Sequence, residues 1–210
     1  MKKFLLFVMA FFMIMPVTVN AQSKSLEKEL KKEYKKKIKE YKKENWKLFG
    51  SSRTVEVALL KHYDKLNNLE DGKEIVGLAS NFKSKNVGMQ MSINNACLTY
   101  AQSAGSYVKG RVMSDLFGDG TTPDKEFDKF YAAYERLVES EIKGEMEKSY
   151  SVIKDNGDGT FELQTYFIIS ESEATKARIR AFENAAKETE LAQKYGEKVA
   201  EFIKEGFETE

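Results

Sequence analysis

The sequence predicts an α+β fold: a small antiparallel three-stranded sheet with long helices packed on one face and helical extensions at both ends. Apolar residues recur at steps of three and four over several long segments, which is typical of amphipathic helices. Alternating apolar and polar residues flank a Gly-Asp-Gly turn at residues 157–159, which is typical of a β-hairpin. The short β-rich segment at residues 73–80 supplies the third strand.

The N-terminus has the plan of a secretory signal peptide. Lys2 and Lys3 precede an apolar stretch over residues 4–19, and Val19-Asn20-Ala21 forms a small-residue cleavage site. We therefore expect a signal peptide at residues 1–21 and an exported protein that is periplasmic or secreted, or peripheral on the outer membrane. The single cysteine, Cys97, lies far from the cut, so we expect neither a lipid anchor there nor an internal disulfide.

Composition divides the rest of the chain into three predicted parts. A lysine-rich amphipathic helix is expected at residues 22–49, and an α+β domain at residues 50–172. A C-terminal helix at residues 173–210 is expected to pack on that domain or to extend from it.

The lysine-rich segment is the most distinctive feature of the sequence. Residues 24–47 contain eleven lysines and five glutamates. On a helical wheel the apolar residues Leu26, Leu30, Tyr34, Ile38 and Tyr41 fall on one stripe. Beside that stripe lies a nearly pure lysine face, for which we predict contact with an anionic envelope surface. The residues predicted to make this contact are Lys28, Lys31, Lys32, Lys35, Lys36, Lys39, Lys42 and Lys43.

Three other interpretations of this segment stay open. The lysines could form a solvated face that keeps the helix soluble, and the stripe could pack on the domain or on a protein partner. Residues 188–210 carry seven glutamates against three lysines, so oppositely charged ends could also produce a self-associating, homo-oligomeric scaffold. Nucleic acid is not an expected partner, because the protein is exported and no aromatic residues interleave the basic face.

Helical periodicity recurs after the lysine-rich segment. Thr54 is a predicted N-cap for a short helix to about residue 66. The longest predicted helix covers residues 84–116, with a narrow apolar stripe that includes Val87, Met91 and Leu98. Gly105 in its middle predicts close packing, since glycine there costs about 1 kcal/mol relative to alanine. A further helix carries the stripe from Phe127 to Ile142.

Several of these segments resemble the twenty-kilodalton bacterial surface-lipoprotein family and its secreted, non-lipidated relatives. The similar stretches are AQSKSLEKELKKEYKKKIKEYKKENW, then EIVGLAS followed by a long helix, and the hairpin SYSVIKDNGDGTFELQTYFII. The resemblance covers residues 22 to about 170, although SKNVGMQMSINNACLTYAQSAG has only three alanines where the family has dense alanine spacing. It implies an envelope-associated, non-catalytic module and brings no active-site residues.

Two residue pairs are candidates for nucleophilic catalysis. Cys97 and His62, the only cysteine and the only histidine, could form a thiolate–imidazole pair. Ser80 and Lys83 match the Ser-x-x-Lys pattern of penicillin-recognising enzymes, in which the serine opens a helix, but the companion motifs are missing. We expect a binding or structural module, not an enzyme, with a hydrolase that uses one of these pairs as the alternative.

Metal and cofactor sites are not predicted. Asp155-Asn156-Gly157-Asp158-Gly159-Thr160 has the look of a calcium loop, but its alternate positions include two glycines and its twelfth residue is Tyr166. A hairpin turn explains this segment better. One histidine and one cysteine are too few ligands for a zinc site of the usual kind.

Overall fold

The computed structural model of the 210-residue chain describes residues 17–117, 125–188 and 191–205. The chain divides into two units, Met1–Glu44 and Asn45–Glu210. The described part of the first unit is a single helix, α1 (Val17–Lys43). Most of the predicted signal peptide, residues 1–16, lies outside the described residues.

The helix of the predicted lysine-rich segment, residues 22–49, ends within that segment at Lys43. Asn45 has a positive φ of 59°, a left-handed conformation that ends a helix and that asparagine adopts more readily than most residues. Lys47–Leu48 then form a two-residue strand, β1, in the second unit. A strand of two residues is too short to show the alternation of apolar and polar residues that predicts a strand, so β1 was not expected.

The sheet of the second unit has four antiparallel strands in the order β1-β3-β4-β2, so the predicted three-stranded sheet lacked β1. The other strands are β2 (Gly72–Phe82), β3 (Glu147–Asp155) and β4 (Phe161–Ser170). The strands β3 and β4 form the predicted hairpin, and β2 pairs with the far edge of β4. The α+β class is therefore confirmed, with one more strand than expected.

Helices cover both faces of this sheet, whereas the sequence placed them on one. The helix α2 (Val55–Asn68) lies on one face, where its His62 packs against Tyr166 of β4. The helix α3 (Lys85–Phe117) lies on the other, where its Ser92 bonds to Thr165. Because consecutive strand residues point to opposite faces, contacts to residues 165 and 166 place the two helices on opposite sides.

The main core lies between helices. It joins α3 to α4 (Lys125–Glu145), α5 (Glu171–Glu188) and α6 (Leu191–Glu205). Gly105 fulfils its predicted role, since a Cβ there would stand 3.0 Å from the hydroxyl oxygen of Tyr131 on α4. The expected C-terminal helix at residues 173–210 is helical in its described parts, α5 and α6. Residues 189–190 and 206–210 lie outside the described residues.

The predicted stripe of α3 is buried only in its C-terminal part. Val108 and Val112 are buried, but Val87, Met91 and Leu98 are exposed. The stripe repeats every seven residues, and a straight α-helix drifts by about 20° per heptad relative to such a repeat. Over a helix of 33 residues this drift turns the early positions away from the core.

Candidate functional site

The lysines of α1 that were predicted to contact an anionic surface form one open face. Lys28, Lys31, Lys32, Lys35, Lys36, Lys39, Lys42 and Lys43 are all exposed to solvent, while Leu30 and Tyr34 of the apolar stripe are partly buried. The helical spacing of the sequence therefore produces the expected cationic face.

Glutamates border this face and pair with some of its lysines. Lys31 donates to Glu27 at 2.7 Å and Lys32 to Glu29 at 2.6 Å, each within one helical turn. The hydrogen bond and the charge of Lys31 hold the pKa of Glu27 below its usual value. The pairs are exposed, so solvent screens them, and an anionic surface can compete with the glutamates for the lysines.

A polar network surrounds His62 in the second unit. Thr54 caps α2 by accepting a hydrogen bond from the amide of Val57, and this start places His62 against the sheet two turns later. The ring is fully buried. Its Nε2 lies 2.6 Å from Oε2 of Glu74 on β2, and its Nδ1 lies 3.0 Å from Oγ of Ser149 on β3.

These two contacts select one tautomer of a neutral His62. An ionised carboxylate only accepts hydrogen bonds, so the nitrogen beside Glu74 must carry the ring proton. The opposite nitrogen, Nδ1, then has only a lone pair, and Ser149 must donate its hydroxyl proton to it. The result is a serine bonded to a base that a third group orients, which is the geometry of nucleophile activation.

Aromatic rings hold the imidazole in this orientation. Tyr150 meets His62 edge-on at a centroid distance of 5.3 Å, and Tyr166 does so at 6.0 Å. The two tyrosines stack on each other across β3 and β4, with centroids 4.5 Å apart and planes within 2°. Ring packing of this kind restricts the rotation of His62 and leaves its nitrogens aimed at Glu74 and Ser149.

Ser149 owes its position to a β-bulge. Lys148 pairs with Phe167 and Tyr150 pairs with Tyr166, so Ser149 is an extra residue without a partner on β4. A bulge of this type redirects side chains, and here both Ser149 and Tyr150 contact His62 although they are adjacent in sequence.

A pocket of about 120 Å³ opens beside Ser149. It lies where β1 has ended and Gly50, with a φ of 74°, turns the chain toward α2. Arg53, Lys61 and Lys148 contribute to its lining and are exposed, and none of the described lining residues is acidic. The lining consists of Leu48, Phe49, Gly50, Ser51, Arg53, Ala58, Lys61, Lys148, Ser149, Tyr150 and Ser151.

Neither predicted catalytic pair is assembled. Cys97 lies on α3 and is buried in the helical core, on the other side of the sheet from His62, whose nitrogens contact Glu74 and Ser149 instead. Ser80 lies within β2 and does not open a helix, and Lys83 follows the end of that strand. Because Ser80 is a strand residue, no helical turn places Lys83 beside it as the Ser-x-x-Lys mechanism requires.

The Asp155–Thr160 segment is the hairpin turn that the sequence favoured. Oδ1 of Asp155 accepts from the amide of Gly157, and Oδ1 of Asp158 accepts from both the amide and the hydroxyl of Thr160. The hydrogen bond from the Thr160 hydroxyl is the main cause that holds the pKa of Asp158 below its usual value, and the bond from the Thr160 amide adds to it. Within the described part of the chain, no group of three or more His, Cys, Asp or Glu side chains could hold a metal ion.

A second buried polar cluster surrounds Arg178 of α5. Its guanidinium donates to Glu171 at 2.5 Å, to Thr175 at 2.7 Å and to the hydroxyl of Tyr100 on α3. Burial raises the pKa of Tyr100 to about 12, so that its hydroxyl stays protonated at neutral pH. The cluster lies inside the helical layer, where Arg178 is 2% exposed, and its role is structural.

Sequence reasoning missed the Ser149 site because its three members lie far apart in the chain. His62 was recognised as a candidate, but Ser149 was treated only as part of a strand and Glu74 only as the start of another. The one feature of the sequence that pointed to this site was the single histidine, which lies on a predicted helix capped by Thr54. Nothing in the spacing of residues 62, 74 and 149 indicates contact.

Comparisons of the chain with protein-family models, with curated proteins and with solved structures found no match. The resemblance to the twenty-kilodalton surface-lipoprotein family therefore stays a prediction. Among the described helices, none combines the length and the apolar character that a membrane crossing requires.

Proposed function

We propose that the protein is an exported cell-envelope module that contacts an anionic surface through the lysine face of α1. The observation that supports this proposal is the exposure of all eight predicted contact lysines on one helix. Each lysine near an anionic lipid surface contributes about 1 kcal/mol of attraction. Eight of them could hold the protein at such a surface even if several stay paired with glutamates.

The apolar stripe of α1 adds a second component to this contact. Leu26, at the start of the stripe, is 56% exposed, and Leu30 and Tyr34 follow it at helical spacing. A helix with lysines beside an exposed apolar side chain suits the boundary between headgroups and acyl chains. We therefore propose a peripheral contact in which charge supplies most of the attraction and Leu26 adds to it.

Export itself is the first part to test. The protein purified from its native host should have Gln22 as its first residue, which intact-mass measurement would detect directly. An intact N-terminus at Met1 in a cytoplasmic fraction would contradict the export proposal.

Co-sedimentation with vesicles containing anionic phosphatidylglycerol tests the surface contact. We expect binding at low salt that decreases as salt rises, because screening weakens contacts between exposed charges. A variant with Lys32, Lys35, Lys36 and Lys39 changed to Gln should lose most of the binding. The matched control changes Lys83, Lys187, Lys198 and Lys204, four exposed lysines of the second unit, to Gln and should bind as the parent does.

Two outcomes would contradict the proposal. Equal binding by both variants would show that total charge, not the α1 face, is responsible. No binding by the parent protein would leave the lysines as a solvated face. In the latter case a mass that rises with protein concentration and falls at high salt would favour the self-associating scaffold.

A further inference from the structure

We propose that Ser149 is the nucleophile of an ester-hydrolysing site, with His62 as its general base and Glu74 as the positioning carboxylate. This activity belongs to the second unit and does not depend on the surface contact proposed for α1. Of the two candidate pairs in the sequence, Cys97 with His62 and Ser80 with Lys83, the proposed site uses only His62.

The direction of the hydrogen bonds favours a nucleophile over a simple structural serine. Because Ser149 donates its only proton to Nδ1 of His62 at 3.0 Å, the lone pairs of its Oγ remain for an electrophile. Ser149 is half-buried and lines the pocket, whereas His62 is fully buried behind it. A small substrate in the pocket would therefore meet the serine oxygen first.

The pocket indicates the class of substrate. Arg53 comes from the loop before α2, Lys61 from α2 itself and Lys148 from β3, so three separate segments bring positive charge to one opening. Such charges favour an ester that carries a negative group, and they stabilise the oxyanion that develops when the carbonyl is attacked. We infer that the substrate is a carboxylic ester with an acidic substituent.

The reaction needs only water as a second reactant. Oγ of Ser149 attacks the carbonyl carbon while its proton passes to Nδ1 of His62, and the imidazolium is stabilised by Glu74 at Nε2. Collapse of the tetrahedral intermediate breaks the ester bond, and the leaving alcohol takes the proton from Nδ1. Water then attacks the acyl-serine, gives a proton to Nδ1 and releases the carboxylic acid, and the proton returns to Ser149.

Labelling with a fluorophosphonate–biotin probe tests the nucleophile directly. We expect a single adduct on the native full-length protein, mapped to Ser149 by tandem mass spectrometry, and no adduct after unfolding in urea. Ser149→Ala should abolish it, whereas Ser140→Ala, which changes an exposed serine of α4 that does not line the pocket, should leave it unchanged. Because the adduct is mapped on the unsubstituted protein, the test does not depend on Ser149→Ala folding.

The role of Glu74 needs a readout that a purely structural role would not change. Glu74→Gln should lower the labelling rate by about a hundredfold, the usual contribution of an oriented general base. Glu74→Asp should recover part of that rate. Both variants should keep the thermal midpoint of the parent within error, which separates a positioning role from a purely structural one. Equal labelling rates in the two variants would contradict a positioning role.

Substrate charge supplies the last comparison. The protein should hydrolyse 4-nitrophenyl hemisuccinate faster than neutral 4-nitrophenyl butyrate, and Lys61→Glu should reverse this order. The absence of any adduct at Ser149 of the native protein would overturn the proposal. A lower thermal midpoint in Ser149→Ala would then show that Ser149 only satisfies His62. An adduct at another serine would overturn it as well.

Discussion

A Cβ on Gly77 would lie 1.9 Å from the carbonyl oxygen of Ser92. The strand β2 and the helix α3 thus approach each other backbone to backbone, and Ser92 continues the contact by bonding to Thr165 of β4 at 2.8 Å. The glycine in the strand sequence EIVGLAS permits this approach, which no residue with a side chain could make. It fixes the distance between the sheet and the longest helix.

Gly77→Ala should lower the free energy of unfolding by about 3 kcal/mol, because the methyl group meets backbone that cannot rotate away. Gly110→Ala is the matched control, since Gly110 lies in α3 and a Cβ added there would have nothing within 4 Å. That change should raise stability by about 1 kcal/mol through helix propensity. Urea unfolding measures both, and equal effects of the two changes would contradict the close approach.

Arg178→Met should destabilise the protein by about 3 kcal/mol, because it removes the buried guanidinium that donates to Glu171 and Tyr100. Arg136→Met is the control. Nη2 of Arg136 donates to both carboxylate oxygens of Glu188, but the arginine side chain is 61% exposed, so the loss should stay below about 1 kcal/mol. A comparable loss in both variants would argue against a structural role for the buried cluster.

The pH dependence of stability should depend on Glu171. Burial alone would raise the pKa of this carboxyl, but the hydrogen bonds and charges of Lys73 and Arg178 outweigh burial and hold it below its usual 4.5. A depressed folded-state pKa contributes stability that is present above pH 4.5 and is lost as the pH falls through the folded value. Stability should therefore decrease on acidification below about pH 4.5.

Glu171→Gln provides the comparison for that pH dependence. The variant should be less stable than the parent at pH 7, and the difference should shrink as the pH falls below 4.5, because the parent loses the charged contacts that the variant already lacks. Urea unfolding at a series of pH values measures this difference. A constant difference from pH 7 to pH 3 would contradict the assignment.

Cys97 should resist thiol reagents in the folded protein. Its side chain is 2% exposed, and burial raises the pKa of the thiol, so both access and thiolate concentration are low. Reaction with Ellman's reagent at pH 8 should be slow under native conditions and fast in urea. Fast native reaction would show that the packing of α3 against α4 opens readily.

Local patterns predicted the elements well where one physical rule decides them. The Thr54 cap, the hairpin around Gly157 and Gly159, and the close approach at Gly105 follow from backbone hydrogen bonding, positive φ and the lack of a Cβ. Local patterns did not predict elements that exist only through pairing between strands. The strand β1 is such a case, because its two residues are extended only where they pair with β3.

The amino-acid sequence by itself determined the lysine face of α1, since helical spacing alone places those side chains together. It also determined the helices and the hairpin, because capping, periodicity and turn chemistry are local. Only the tertiary structure decided that α2 and α3 lie on opposite faces of the sheet, and that His62 meets Glu74 and Ser149. Those contacts depend on strand register and on one bulge in β3, which long-range packing selects and no local pattern encodes.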